Sequence, residues 1–143
     1  MAIINGSDLV LTLSPSDGGA NAKLMHSQNV SLSINVDTID VSTKDSSGFR
    51  DLIGGQKSFS LSADGLMDFA GVAGDTEPDE LFTQAIARTP VTFVFGLASP
   101  ASGDYTYSGS GFITSLEISA GMEDAPTYSV SIEGTGTLTQ NTI

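Results

Sequence analysis

The sequence predicts a mainly β fold: a two-layer antiparallel β-sandwich or partly open barrel, with one short flanking α-helix and a long loop between two strands. Three observations carry that expectation. Apolar and polar residues alternate at period two in several separate segments, the pattern of half-buried strands. Only 15% of the 143 residues are charged while 39% are hydrophobic, so Ser, Thr and Gly fill the polar positions, a mix that suits pleated strands, bulges and turns. Clusters of Gly, Pro, Asp and Ser separate the runs, as expected of several short strands in series. A chain of this length supports one domain, 1–143, and is short for two.

Asp8 to Leu13 is a short apolar-rich strand, and Ser14-Pro-Ser-Asp-Gly-Gly-Ala is a turn by its composition. Val30, Leu32, Ile34 and Val36 then alternate with Ser31, Ser33 and Asn35, giving a strand with one apolar face. Ile39 and Val41 move the apolar residues to odd positions, so a bulge or bend is expected near Asp37. Phe59, Leu61 and Ala63 against Ser58, Ser60 and Ser62 repeat the alternation. Only one segment reads as helical. Asp75-Thr-Glu-Pro-Asp-Glu supplies a cap, an early Pro and N-terminal acids. Leu81, Phe82, Ala85 and Ile86 follow on one face, and Thr89-Pro90 ends the helix.

Val91 to Leu97 reads as a well-buried strand and Ser99 to Asp104 as a turn. Tyr105 to Ser119 is a strand bent at Gly109 and Gly111. After a connection at Gly121 to Pro126, Tyr128, Val130 and Ile132 alternate with Ser129, Ser131 and Glu133, followed by Gly134-Thr-Gly-Thr and a polar tail. Seven or eight strands and one helix fit a layered antiparallel architecture.

Composition excludes several functions. The net charge is −12, from 17 acids against 5 bases. Nucleic acids are held mainly by Lys and Arg on phosphates, and Lys23, Lys44, Arg50, Lys57 and Arg88 are too scattered for a basic stripe. An acidic surface can still let nucleic acid pass without holding it. There is no Cys, hence no disulfide or thiolate chemistry. The start Met1-Ala-Ile-Ile-Asn-Gly lacks the layout of a signal peptide, and no apolar run approaches a membrane span. The chain therefore reads as soluble, made in the cytoplasm and without membrane binding.

No catalytic, cofactor or metal site is expected. His26 is the only histidine, and its plainer role is at a surface or strand edge. One His and no Cys cannot supply a zinc site. Asp75, Glu77 and Asp79 alternate like calcium-loop ligands, but Glu80 and Ile86 stand where the EF-hand needs Gly and Glu, so helix capping fits better. Gly109-Ser-Gly111 lacks the spacing of a nucleophile elbow. Both it and Gly134-Thr-Gly136 read as strand bends.

The segment from Asp37 to Asp51 is more informative. A strand, Asp37-Thr-Ile-Asp-Val, runs into the polar stretch Ser-Thr-Lys-Asp-Ser-Ser-Gly with Phe49, Arg50 and Leu52 beyond it, ahead of the alternating Ser58 to Leu66. Loops of this length are usually functional or disordered, and a large apolar residue on one points to docking. Asn5-Gly-Ser-Asp-Leu9, Asp37 to Gly48, Ser60-Leu-Ser-Ala-Asp-Gly-Leu66, Gly111 to Ala120 and Tyr128 to Gly136 together resemble the major tail tube proteins of siphophages, a family also found in prophages and gene-transfer particles.

That resemblance implies a self-assembling virion protein, made in the bacterial host cytoplasm. It implies hexameric rings stacked into a hollow tube, with strands from each subunit lining a lumen through which DNA passes without specific binding. Partners implied are further copies of the chain and tape-measure, baseplate and tail-terminator proteins. Terminal arms are expected to share in the contacts. The loop from about Lys44 to Gly55 is expected to reach a neighbour, with Lys44, Asp45, Phe49, Arg50, Asp51 and Leu52 as its contact residues. Asp64, Glu117 and Glu133, on strands, are candidates for lumen acids. The competing reading is a carbohydrate- or receptor-binding β-sandwich of a phage tail. It is weakened by the absence of Trp and by aromatic content of 7%, with Tyr105 and Tyr107 as the one close pair.

Overall fold

The computed structural model describes residues 5–13, 22–24, 27–67 and 78–143. Its elements are β1 (Leu9–Leu13), β2 (Ala22–Lys23), β3 (Ser27–Asp40), β4 (Leu52–Leu66), α1 (Pro78–Ala87), β5 (Val91–Leu97), β6 (Tyr105–Ser119) and β7 (Thr127–Thr142). Short 3-10 turns lie at Gly6–Asp8 and Lys44–Ser46. Expectations for the Ser14 turn, His26, Asp75 and Glu77 fall outside the described residues.

The strands form one antiparallel sheet in the order β2-β1-β5-β6-β7-β4-β3. Its two ends curl towards each other. The rings of Phe59 on β4 and Phe93 on β5 meet edge to face, 5.9 Å between centroids, although β6 and β7 separate those strands in the sheet. Likewise β1 comes within 8 Å of β3 between Cα atoms without pairing to it. The fold is therefore a sheet doubled into two layers and left open along the seam between β1 and β3. A groove of about 550 Å³, lined by Gly6, Ser7, Leu9, Val10 and Ser27 to Val30, marks that seam.

Alternation decides what fills the interior. β4 buries Phe59, Leu61 and Ala63, and β7 buries Tyr128, Val130 and Ile132. From the other layer, β1 supplies Leu11 and Leu13 and β5 supplies Val91 and Phe93. These residues form one cluster, with Leu24 joined to β1 by its N–H donating to the Leu11 carbonyl at 2.9 Å. Each such large side chain contributes about 1.5–3 kcal/mol of burial.

α1 packs on β6 and completes the core with Leu81. Here the expected face divides. Leu81 and Gln84 are buried, whereas Phe82 and Ile86 are 56% and 69% exposed. The helix is rotated so that an i, i+3 pair meets the sheet, and the apolar i, i+4 pair faces out.

One other boundary differs from expectation. The polar stretch after Gly136 is strand, because β6 starts early enough to pair Tyr105 with Thr142 and Ser108 with Thr139. Backbone pairing needs no apolar alternation, so this part carries no period-two signal. The bend at Gly109 is present as a register break between Ser108 and Ser110, opposite Gly136 with its positive φ of 75°. Among the described residues, no helix is long and apolar enough to cross a membrane.

Candidate assembly surfaces

The β3–β4 hairpin is longer than the body of the sheet. β7 pairs with β4 only from Ser60 to Leu66, while β3 follows β4 to the Asp40–Leu52 pair. The outer part, Ile34–Asp40 with Leu52–Phe59, is thus a two-stranded arm. Isolated two-stranded ribbons are marginal in water, yet this one leaves Ile34, Val36, Ile39, Val41, Phe49, Leu52 and Ile53 exposed.

The phase change expected at Asp37 is real. Val36 pairs with Lys57 and Thr38 with Gly54, so Asp37 faces two residues, Gly55 and Gln56. A Cβ at Gly55 would lie 3.1 Å from the Asp37 carbonyl oxygen, which explains a glycine at the bulge. β3 keeps its own alternation through this point. Ile34 and Val36 therefore lie on one face of the arm, Ile39 and its partner Ile53 on the other. Sequence reasoning placed the apolar face of this strand inward. The missed signal is that a phase shift in a long hairpin leaves apolar residues on both faces.

The loop at the tip is shorter than expected, since Leu52 to Gly55 belong to β4. It is braced by its own polar groups. Val41 N–H donates to the Asp51 carbonyl at 2.9 Å, Asp51 N–H to Ser42 Oγ at 2.7 Å, and Ser46 Oγ–H to Asp51 Oδ2 at 2.8 Å. Thr43 N–H reaches Ser46 Oγ at 3.0 Å. Ser47 and Gly48 turn the chain through the left-handed region, with φ of 54° and 83°. Hydrogen bonds from the Ser42 hydroxyl and amide hold the Asp40 carboxyl below its usual range, with a smaller contribution from Arg50, whose Nε lies 3.4 Å from Asp40 Oδ2. Lys44 and Asp45 are exposed on the 3-10 turn. Phe49 is 78% exposed, so this bracing presents its ring to solvent rather than to its own domain.

A second surface is the outward face of β3, β4, β7 and β6. Cross-strand register places Asn29, Asp64, Ser129 and Glu117 in one row, and Ser31, Ser62, Ser131 and Ser115 in the next. Ser33, Ser60, Glu133 and Phe112 form a third, Phe112 being the one apolar residue of these rows. Asp64, Glu117 and Glu133 therefore share one face, and no Lys or Arg occurs in these rows. Asn29 Nδ2 donates to Asp64 Oδ1 at 3.0 Å, and the Ser31 and Ser62 hydroxyls are 2.6 Å apart. Both edges of this four-strand layer lack a described partner strand: β3 pairs only with β4, and β6 from Phe112 to Ser119 pairs only with β7. Among the described residues, no group of three or more His, Cys, Asp or Glu converges to hold a metal ion.

The sequence model of phage tail tube proteins matches residues 3–140. The chain belongs to the phage tail tube protein family. It is a structural, tube-forming virion protein of the tail. No curated relative matches the sequence. Among solved structures, the fold is similar to a chain in the tail of an empty gene transfer agent particle with C6 symmetry. That chain is 22% identical with a TM-score of 0.81, over 97% of this chain and 99% of that one. It is also similar to the SPP1 tail tube, 18% identical with a TM-score of 0.75 over 99% of this chain and 80% of that one. A chain in the baseplate of the anti-feeding prophage is 12% identical with a TM-score of 0.70, over 99% and 98% of the two chains. At these identities the likeness is one of fold.

Proposed function

We propose that this tail tube protein forms six-membered rings that stack into a hollow conduit for DNA, with the polar face of β3, β4, β7 and β6 turned to the lumen. The arm carries the assembly part of this reading: apolar residues exposed on both faces of a two-stranded ribbon are stable only when other chains cover them. The C6 symmetry of the similar gene transfer agent tail supports six subunits. Edge β3 of one subunit would pair with edge β6 of the next, so that every subunit adds four strands to a closed inner wall and no edge remains exposed.

The lumen assignment is supported by the chemistry of the face. Apart from Phe112 beside Glu133, hydroxyl, amide and carboxylate groups keep it wet, and the absence of cations from its rows leaves no phosphate-binding grip on passing DNA. The tube would meet tape-measure, baseplate and terminator proteins at its ends, the similarity to an anti-feeding prophage baseplate chain being in keeping with that. The protein would act by assembly alone, without enzymatic activity.

Electron microscopy of the purified protein tests the reading. Rings or tubes of uniform diameter with sixfold end views are expected. Persistent monomers at high concentration, particularly with affinity for glycans, would overturn it in favour of a carbohydrate-binding module.

A further inference from the structure

Resting on the tube reading, and naming where its arm lands, we propose that the arm tip of one subunit docks on the β6–β7 turn, Gly121–Asp124, of a subunit in the next ring. Phe49 would seat against Met122 and Ile118. Identical subunits that stack must join two different patches of the same chain. The arm is one such patch, and the other must offer apolar surface in a place that lets the contact repeat without closing.

β4 fixes that place. It runs from Leu52 on the arm to Leu66 at the far end of the sheet, about 46 Å at 3.3 Å per residue. At that far end Leu66 pairs with Thr127, which also pairs with Ser119, and Met67 N–H donates to the Pro126 carbonyl at 2.8 Å. Leu66, Ile118 and Met122 are exposed there, Met122 by 93%. A contact between opposite ends of one long strand repeats as an open stack.

One charged group of the tip, Lys44, bears on the same contact. Two copies of a chain at net −12 repel over most of their surface. At the tip, Lys44 and Arg50 flank Phe49 among Asp40, Asp45 and Asp51, and Arg50 is already paired with Asp40, which leaves Lys44 as the base that would face the turn. Met122 is followed directly by Glu123 and Asp124. The turn is shaped to hold Met122 out. Asp124 N–H donates to the Gly121 carbonyl at 3.3 Å, and Glu123, in its third position, has a φ of 62°, a conformation usually left to glycine. Methionine, flexible and polarisable, suits a socket that must fit an aromatic ring.

The native chain has no cysteine, so a pair introduced beside the contact reports it directly. Asp45→Cys with Ala125→Cys leaves Phe49, Met122 and the charged groups in place. Oxidised tubes of this double variant are expected to run on non-reducing gels as a ladder beyond the dimer, collapsing on reduction, while each single variant gives none. Tubes of normal appearance with no ladder overturn the proposal, as does stronger cross-linking when Ala87→Cys on α1 replaces Ala125→Cys. Should the cysteine pair block assembly, Lys44→Glu is expected to raise the assembly threshold about tenfold and Glu123→Lys in the same chain to restore it. Lack of restoration overturns the proposal. Wild-type protein that forms no tubes removes the tube reading itself, a result separable from tubes that form without the cross-link.

Discussion

The Phe59 ring occupies the space that a side chain at residue 134 would fill: a Cβ added to Gly134 would fall inside the van der Waals envelope of the ring. The two residues lie opposite each other on β4 and β7, one step beyond the Ser60–Glu133 pair. The bare backbone of Gly134 lets Phe59 lie across β7 and still reach Phe93 in the other layer. The first glycine of the closing Gly-Thr-Gly is therefore a packing device, whereas Gly136 has open space around it and a positive φ.

Gly134→Ala is expected to destabilise the monomer by about 1–3 kcal/mol, the usual cost of overpacking a filled core. Phe59→Ala should cost about 3–5 kcal/mol by leaving a cavity. In the double variant the alanine at 134 no longer meets a ring, so the cost should be less than the sum of the two. Denaturant unfolding of the three variants and the wild type gives the cycle. Additive costs would separate the residues.

Alkaline pH should act through Tyr128. Burial, and secondarily the charge of Asp64, push its phenol well above its ordinary value of 10.0. The unfolded chain then ionises first, so the stability contribution is complete below about pH 10 and is lost as pH rises towards the folded value. Unfolding midpoints recorded from pH 8 to 12 should fall above pH 10 in the wild type. They should fall less in Tyr128→Phe, and an unchanged slope would assign the loss to other groups.

Phe49→Ala with Leu52→Ala is expected to impair tube formation while leaving the monomer folded. Both side chains are exposed, by 78% and 45%, so their loss from the free monomer is nearly neutral. In a covered interface each would contribute about 2 kcal/mol. Circular dichroism checks the fold and sedimentation the assembly. A wild-type yield of tubes from the folded double variant would show that the tip plays no part.

The strands were legible wherever one face is buried. Val30 and Leu32, Phe59 to Ala63 and Tyr128 to Ile132 all announce themselves by alternation, because burial on one side forces it. The β7 end from Thr135 to Thr142 is silent for the converse reason: only Leu138 packs against the core there, and a single residue makes no period. On α1, Phe82 and Ile86 have the right spacing for a core face, but spacing cannot say which of two overlapping stripes meets the sheet. For the arm, Phe49 stands out in a polar loop, whereas Ile39 and Ile53 look like ordinary core residues. Only the register, which ends the β4–β7 pairing at Ser60, shows that nothing in the described fold covers them. Asp64, Glu117 and Glu133 lie far apart in sequence, and cross-strand pairing alone puts them on one face.

That shared face gives the last prediction. All three acids are exposed, so Asp64→Lys, Glu117→Lys and Glu133→Lys together should leave the fold and the tube intact. Asp64 gives up a hydrogen bond from Asn29, a loss of about 1 kcal/mol. If the face lines the lumen, six subunits per ring would turn a repelling wall into a phosphate-binding one, and DNA would be retained by counterion release. Particles carrying the triple variant should release their genome about tenfold more slowly or worse at low salt, with the delay relieved as salt is raised. The isosteric set Asp64→Asn, Glu117→Gln and Glu133→Gln removes charge without creating a grip, so its release should stay close to wild type. Normal release from the lysine variant at low salt would place these acids on the outside of the tube.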